Sequence, residues 1–558
     1  MADAADRYDR RRFLARGASA AAAMGLAGVG LPPLLAGCSS GSNGSPAGTR
    51  GSTPGVGTGA PRRGGSVTIG LNSEIDGFLP TASHFDNSGL TYANTVFDSL
   101  TRVAADGTAR PYLAQSVTPN TDMTVWTITL RPGIVFHDGS PLDAQVLVAN
   151  FQALRQSPLT GQAVAPVSAV SAVGSLAVQV TCDEPLVAFP HYLATQIGYP
   201  VALSQLGASD STHPIGTGPF IYQSWEPNDH FTATRNPNYW RPGFPYLDSV
   251  TYKPISDDQS RESALRSGTV DMMVTRAPST IRDLRDASGF QQVDDLNQTH
   301  GQTDMDFIVL NTTVDPTNDL TVRQALAHAL DAEEIVKLFG SGVTELNTSL
   351  FPPGSPYRPA DNGYPRFDLA KARQLVAQAA PNHGGRISVS LDTITDPRLL
   401  EIVQAIGNMW SRAGIHVTVG EIEQVTFIDN LVFGKFTAYT DEMFSASDPD
   451  LNYVWLSPTT ANGPIALNFA RNKDPELEAA LQQGRTHSDP AVRAAAYQTV
   501  DKRLAADLPY LWFSRATWSV TASDTVANFN HMALPDGALD QGFNGGVCTP
   551  TPIWRTTA

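Results

Sequence analysis

Cysteine is nearly missing from this chain: among 558 residues there are three, Cys38, Cys182 and Cys548. So few thiols exclude the disulfide framework that holds small secreted domains together. No Cys/His grouping has zinc-site spacing and the eleven histidines are scattered, so no metal ligands and no cofactor are assigned. Positive charge is also short: 38 Lys and Arg stand against 54 Asp and Glu, a net charge of -16. Nucleic acid and an anionic membrane face both require a basic surface, so neither is expected as a partner. Beyond the first forty or so residues, no apolar run is long enough to cross a bilayer. From residue 64 onward there is no Gly-x-Ser-x-Gly elbow, His-Glu-x-x-His, phosphate loop or deaminase spacing, and no repeat of fixed period. These absences argue against an enzyme, although a dispersed triad leaves no such signature.

What is present begins with residues 10 to 38. Arg10-Arg11-Arg12-Phe13-Leu14, an Ala/Gly-rich apolar run and Leu35-Ala36-Gly37-Cys38 have the layout of a secretion signal. Arg10, Arg11, Phe13 and Leu14 resemble a twin-arginine signal, and Leu-Ala-Gly-Cys resembles a bacterial lipobox. The resemblance implies a signal peptide over 1–37, cleavage before Cys38 and lipid on its thiol. The protein is then extracytoplasmic, anchored to the cell membrane as a lipoprotein. The alternative is a transmembrane anchor, because the run approaches the roughly 20 residues a span needs. Gly25, Gly28, Gly30, Pro32 and Pro33 weaken it as a helix. Removing 1–37, which carry five Arg and three Asp, takes the net charge to about -18. Residues 38–63 are Gly, Ser, Thr and Pro with few apolar side chains, a flexible linker. With Cys38 assigned to lipid, Cys182 and Cys548 are either a disulfide or two free buried thiols, and spacing does not choose.

The body opens at Gly64-Gly65. Ser66–Leu71 and Val125–Leu130 alternate as strands, and Tyr92, Val96 and Leu100 give Thr91–Leu100 helical spacing. Asp143 caps a helix carrying Val146, Val148 and Phe151. After about residue 305 the texture becomes strand-helix-strand. Phe307–Leu310, Ile387–Leu391 and Ile415–Val419 alternate with helices over Val322–Phe339, Leu369–Ala379 and Leu399–Ala413, the first broken at Asp331. That succession predicts an α/β lobe.

Several segments resemble one family in order. Val96-Phe97-Asp98-Ser99-Leu100-Thr101-Arg102, TVWTITLRPGIVFHDGSPLDA over Thr124–Ala144, PIGTGPF over Pro214–Phe220, RNPNYW over Arg235–Trp240, and Leu310-Asn311-Thr312 with Val322–Leu326 and Ala329-Leu330-Asp331 carry it. The chain is thereby identified as resembling the extracellular solute-binding proteins, family 5, the dipeptide, oligopeptide and nickel receptors of ABC importers. The resemblance spans about 64 to 513. It implies a two-lobed periplasmic-binding-protein-like α/β fold of type II, in the large cluster-C-like form. Lobe I would take 64–305 and 515–558 with an extra subdomain over about 102–207, and lobe II 306–514. Ligand would sit between them and be held by hinge closure. Gly216-Thr217-Gly218 then reads as a tight bend rather than a phosphate cradle, and Arg131, His137 and Asp138 as fold-supporting.

The stretch expected to touch ligand is Ala438–Trp455, AYTDEMFSASDPDLNYVW. Peptide-binding relatives have "GWxxDYxDP" here, whose first Asp pairs with the peptide's α-amino group. Matching Asp448-Pro449 to that "DP" puts Ser445 where this Asp stands and Glu442 where the Trp stands. A serine hydroxyl does not neutralise an ammonium, so Asp441, Glu442 or Asp448 must supply the charge, or the ligand has no free amine. Taken alone, each of the three is more simply a solvated loop carboxylate. Asn311 at the crossover and Glu74, His84 and Phe85 after the first strand are further cleft candidates. Trp455 is either cleft wall or lobe II core. The expected function is a lipid-anchored ABC-importer receptor for a small polar solute, a short peptide first and a nickel or metal-chelate complex second. It would work as a monomer with permease and ATPase subunits. A sensory or regulatory envelope lipoprotein is the rival, and an exported enzyme the third class.

Overall fold

A computed structural model describes residues 59–207, 210–295, 304–444, 446–462 and 465–556. The signal residues Arg10, Arg11, Phe13 and Leu14, the lipidation site Cys38 and Ser445 lie outside the described residues.

Two sheets organise the molecule. The first has seven strands in the order Phe290–Asp294, Ser519–Ser523, Met272–Thr275, Ser66–Leu71, Ser249–Pro254, His230–Arg235 and Phe220–Glu226. Ser66–Leu71 pairs in parallel with both neighbours, and the flanking pairs are antiparallel. Strand Ser519–Ser523 comes from the far end of the chain, so this lobe is built from two separate stretches of sequence. The second sheet has six strands in the order Glu345–Leu346, Tyr510–Arg515, Met305–Leu310, Ala438–Met443, Ser388–Ile394 and His416–Ile422. Its two faces belong to different cores. Ile308, Leu310 and Leu511 join the helices Leu320–Ala329, Leu369–Ala379 and Pro397–Arg412, while Phe307, Tyr439 and Trp512 join Leu350, Phe444 and Tyr497. Coverage on both faces explains the near-continuous burial of its strands Met305–Leu310 and Tyr510–Arg515. A separate antiparallel sheet, Ala114–Pro119, Val125–Leu130, Ala177–Cys182 and Val167–Ala172, packs against helix Ala144–Gln156 with its own core. Trp126, Ile128 and Leu130 alternate inward, as the sequence predicts.

Much of the acidic surplus is spent on helix starts. Asp86, Asp143, Asp331, Asp368, Asp396 and Asp489 each accept a backbone N–H of the first turn, which satisfies an orphan donor and favours the positive end of the helix dipole. Asp331 breaks the predicted long helix into Leu320–Ala329 and Ala332–Phe339 by capping the second. The helix expected over Thr91–Leu100 instead covers Asn87–Val96, because Asp86 caps it four residues earlier and Phe97 is extended. The segment Ala438–Met443, read from sequence as part of a ligand-contacting stretch, is an inner strand of the second sheet. Gly216 and Gly218 lie against the Val96 backbone, leaving no room for a Cβ, and Gly218 N donates to Val96 O at 3.0 Å. His137 Nε2 lies 3.1 Å from Gly218 O, and burial pushes its pKa down to about 4. Cys182 and Cys548 are free and sit in different cores.

Candidate functional site

The chain passes between the lobes twice, these crossovers falling between Asp295 and Asp304 and at 516–518. Trp518 N and Gly545 N donate to Asp295 at 2.9 and 3.1 Å. Trp518 Nε1 and Asn87 Nδ2 donate to Asp304 at 2.7 and 3.1 Å. Burial pushes the Asp295 carboxyl up to about 7, against the pull of these backbone donors. Nearby, Arg276 crosses from the first lobe to pair with Glu442 and lies 4.0 Å from Asp306.

Residues of both lobes line a cavity of about 330 Å³. The first lobe contributes Asp106, Gly107, Thr108 and His191, and the second contributes Met305, the 350–357 turn, the 444–452 segment and Arg493. Leu350, Phe351, Phe444 and the prolines give apolar wall, with Tyr357, Ser355 and Asn452 between them. Polar and apolar side chains share the wall about equally, which suits a small polar solute. A second void, about 30 Å³ beside Arg398 and Phe339, has room for little more than a water.

One end of the cavity is sealed by the 3₁₀ turn Pro449–Asn452. Asp448 caps it, its Oδ1 accepting from Asp450 N at 2.9 Å and from Arg493 Nη2 at 2.7 Å. Burial works to raise the Asp448 carboxyl, but Arg493 and His191 outweigh it and hold it below the usual carboxylate range. Two residues on, Asp450 faces inward to a cross-lobe cluster. Arg485 Nε donates to its Oδ1 at 2.9 Å, and Tyr192 of the first lobe lies 3.0 Å from its carbonyl and 3.2 Å from Oδ2. The Arg485 guanidinium also donates to Tyr192 at 3.2 Å, sits 3.5 Å from Glu184 and stacks 3.5 Å over the Tyr453 ring.

Of the residues proposed from sequence, Asp448 stands on the cavity wall. Glu442 is engaged by Arg276, and Asp441 lies on the same strand, where burial pushes its carboxyl up to about 7 against the pull of Arg276. Glu74 accepts from Trp225 Nε1 and Asn228 N at 2.7 and 2.6 Å, inside the first lobe. Phe85 packs on the first lobe's core beside Tyr199. Asn311 is buried, donating to Gly434 O and Phe436 O and accepting from Thr313. Trp455 packs on Phe469 in the second lobe. His191, Arg493, Phe351 and Tyr357 were not singled out from sequence. Nothing local marks them, since the lobe-bridging pair Tyr192–Asp450 spans 258 residues. Among the described residues no three His, Cys, Asp or Glu side chains gather as metal ligands, and no helix is long and apolar enough to cross a membrane.

A model of the bacterial extracellular solute-binding proteins, family 5 Middle, matches residues 108–464. The glutathione-binding protein GsiB of Pectobacterium atrosepticum is 25% identical over 469 residues, 81% of this chain and 88% of that protein. The periplasmic binding protein DppA of Helicobacter pylori, solved with the peptide STSA, superposes with a TM-score of 0.75 at 21% identity, covering 84% of this chain and 96% of that one. AgaA of A. tumefaciens R10, solved with agropinic acid, superposes with a TM-score of 0.76 at 22% identity, covering 88% and 99%. These likenesses establish a type II, two-lobed fold of cluster C.

Proposed function

This chain belongs to the bacterial extracellular solute-binding proteins, family 5, and from that premise we propose that it captures a short peptide or peptide-like solute in the interlobe cavity. Members of the family bind solutes and are not enzymes, and they work outside the cytoplasm. The observation that carries the proposal is the cavity of about 330 Å³ walled by both lobes. Its size is at the small end of the roughly 300–1,000 Å³ of small-molecule sites, which favours a solute the length of a di- or tripeptide over a long one. Contact with both walls gives such a solute more interactions in the closed arrangement than in an open one, so binding and closure are coupled. The closed receptor then delivers its solute to an ABC permease and its ATPase. The lipobox-like segment ending at Cys38 supports a lipid tether, which keeps the cleft near that permease.

Native mass spectrometry of the protein as isolated from its membrane fraction tests both parts. The expected spectrum has a diacylglycerol adduct on a chain beginning at Cys38 and a co-purified small solute. Thermal unfolding against di- and tripeptides, glutathione and metal chelates completes the test. A ligand present at a hundred times its Kd adds about 2.7 kcal/mol of stability. No adduct refutes the tether. No bound solute and no thermal shift across the panel refutes the receptor.

A further inference from the structure

Away from the crossovers the lobes meet again, where the turn Pro449–Asn452 and the end of helix Pro475–Thr486 reach segment 184–192 of the first lobe. Leu451 of the second lobe packs on the core of the separate antiparallel sheet, which holds Trp126, Leu186, Phe189 and Leu193. Polar groups are matched across the same seam. Tyr192 Oη donates to the Asp450 carbonyl at 3.0 Å, and Val187 N donates to Arg485 O at 3.2 Å. Glu184 stands 3.5 Å from the Arg485 guanidinium, and further out Gln162 Nε2 donates to Ile465 O at 3.4 Å. Tyr192, Asp450 and Arg485 are all buried, so water does not weaken these bonds while the lobes are together. Parting the lobes would return Leu451 and the sheet core beneath it to water. None of Leu451, Tyr192, Asp450 and Arg485 lines the cavity, whereas their neighbours His191, Asp448, Pro449 and Asn452 do. The same two segments thus present one set of residues to the solute and another to each other. Every group in the seam belongs to the protein, so it assembles whenever the lobes approach.

We propose that Leu451 and the Tyr192–Asp450–Arg485 group form a clasp that shuts the cleft through the protein's own contacts, so that the closed arrangement is populated before a solute arrives. A solute then adds its contacts to a closure already near balance. Its apparent affinity scales with the fraction of free protein that is closed. Closure by the clasp also sets the turn that carries Pro449 and Asn452 against His191, which builds the cavity wall in advance. One partly buried leucine and a few hydrogen bonds make a small contact, which suits a clasp that has to reopen. The proposal goes beyond the receptor reading and concerns closure alone.

The test measures the distance between the lobes in the full-length mature protein, stripped of solute by unfolding, dialysis and refolding. Ala169→Cys and Ala479→Cys place spin labels at exposed positions on the two lobes, and double electron–electron resonance reads their separation. Cys182 and Cys548 are buried and stay unlabelled. The closed distance should account for at least about a tenth of the population, the upper end for a minor state. Leu451→Ala, which removes apolar contact from the closed arrangement alone, should lower the closed-to-open ratio about tenfold. Tyr192→Phe should lower it about fivefold. A purely structural role would lower the unfolding temperature and leave the distances where they are. A wild-type protein showing only the open distance overturns the proposal. So does a folded Leu451→Ala/Tyr192→Phe double variant that keeps the wild-type distribution. If the double variant fails to fold, wild-type distributions in both single variants overturn it equally. No solute enters the measurement, so each of these results leaves the receptor reading standing.

Discussion

The lobes of this protein touch through buried carboxylates at two places, and those carboxylates are held in different ways. Beside the crossovers, Asp295 and Asp304 accept from Trp518, Gly545 and Asn87, and among the described residues no cation bonds either acid. At the cleft mouth, Asp448 and Asp450 each hold a guanidinium, Arg493 and Arg485. At Asp295 desolvation prevails and the carboxyl rises to about 7, while at Asp448 Arg493 and His191 prevail and it falls below its ordinary range. Neutral donors suit a joint that stays assembled while the lobes swing. On the cavity wall the Arg493 pair holds Asp448 charged, and Tyr192 ties Asp450 to the opposite lobe. The contrast separates a hinge from a mouth.

The largest expected effect comes from breaking the mouth. Arg485→Ala leaves Asp450 buried without its cation, and breaking a buried pair this way costs about 3–5 kcal/mol. Chemical denaturation should read that loss. A loss below about 1 kcal/mol would mean the mouth does not depend on ion pairing. The hinge is tested by pH. An ordinary unfolded Asp titrates near 3.9, roughly, whereas folded Asp295 titrates at about 7. Between those values the native state holds a proton the unfolded state has lost, so this contribution is complete below the unfolded value and fades as pH rises towards 7. Asp295→Asn should flatten that slope. An unchanged profile would assign the pH dependence to other groups. The smallest effect belongs to Tyr192→Phe, which removes one hydroxyl between the lobes. About 1 kcal/mol drawn from the closed arrangement alone should weaken solute binding roughly fivefold. Calorimetry showing wild-type affinity would place Tyr192 outside the closure.

How far the sequence could be read follows from how local each signal is. The strand Val125–Leu130, the helix Leu369–Ala379 and the cap at Asp331 depend on neighbours a few positions away, and each stands where periodicity and capping put it. The strand Ala438–Met443 was harder to see, because Asp441 and Glu442 interrupt an otherwise apolar run. Glu74 shows the limit for the site: its carboxylate is taken up by Trp225 and Asn228, about 150 residues further along the chain.

By itself the sequence determined the ordered segments that resemble one receptor family, and the alternation and caps from which the sheets are made. All of these are properties of short stretches. Which acids remain available was decided only by tertiary structure. Asp448 and Asp450 sit two residues apart in one turn, yet Asp450 has both oxygens engaged by Arg485 and Tyr192 while Asp448 keeps one turned to the cavity opposite His191. A carboxylate's role depends on whether a cation, an N–H or nothing reaches each oxygen, and most of those partners arrive from distant parts of the chain.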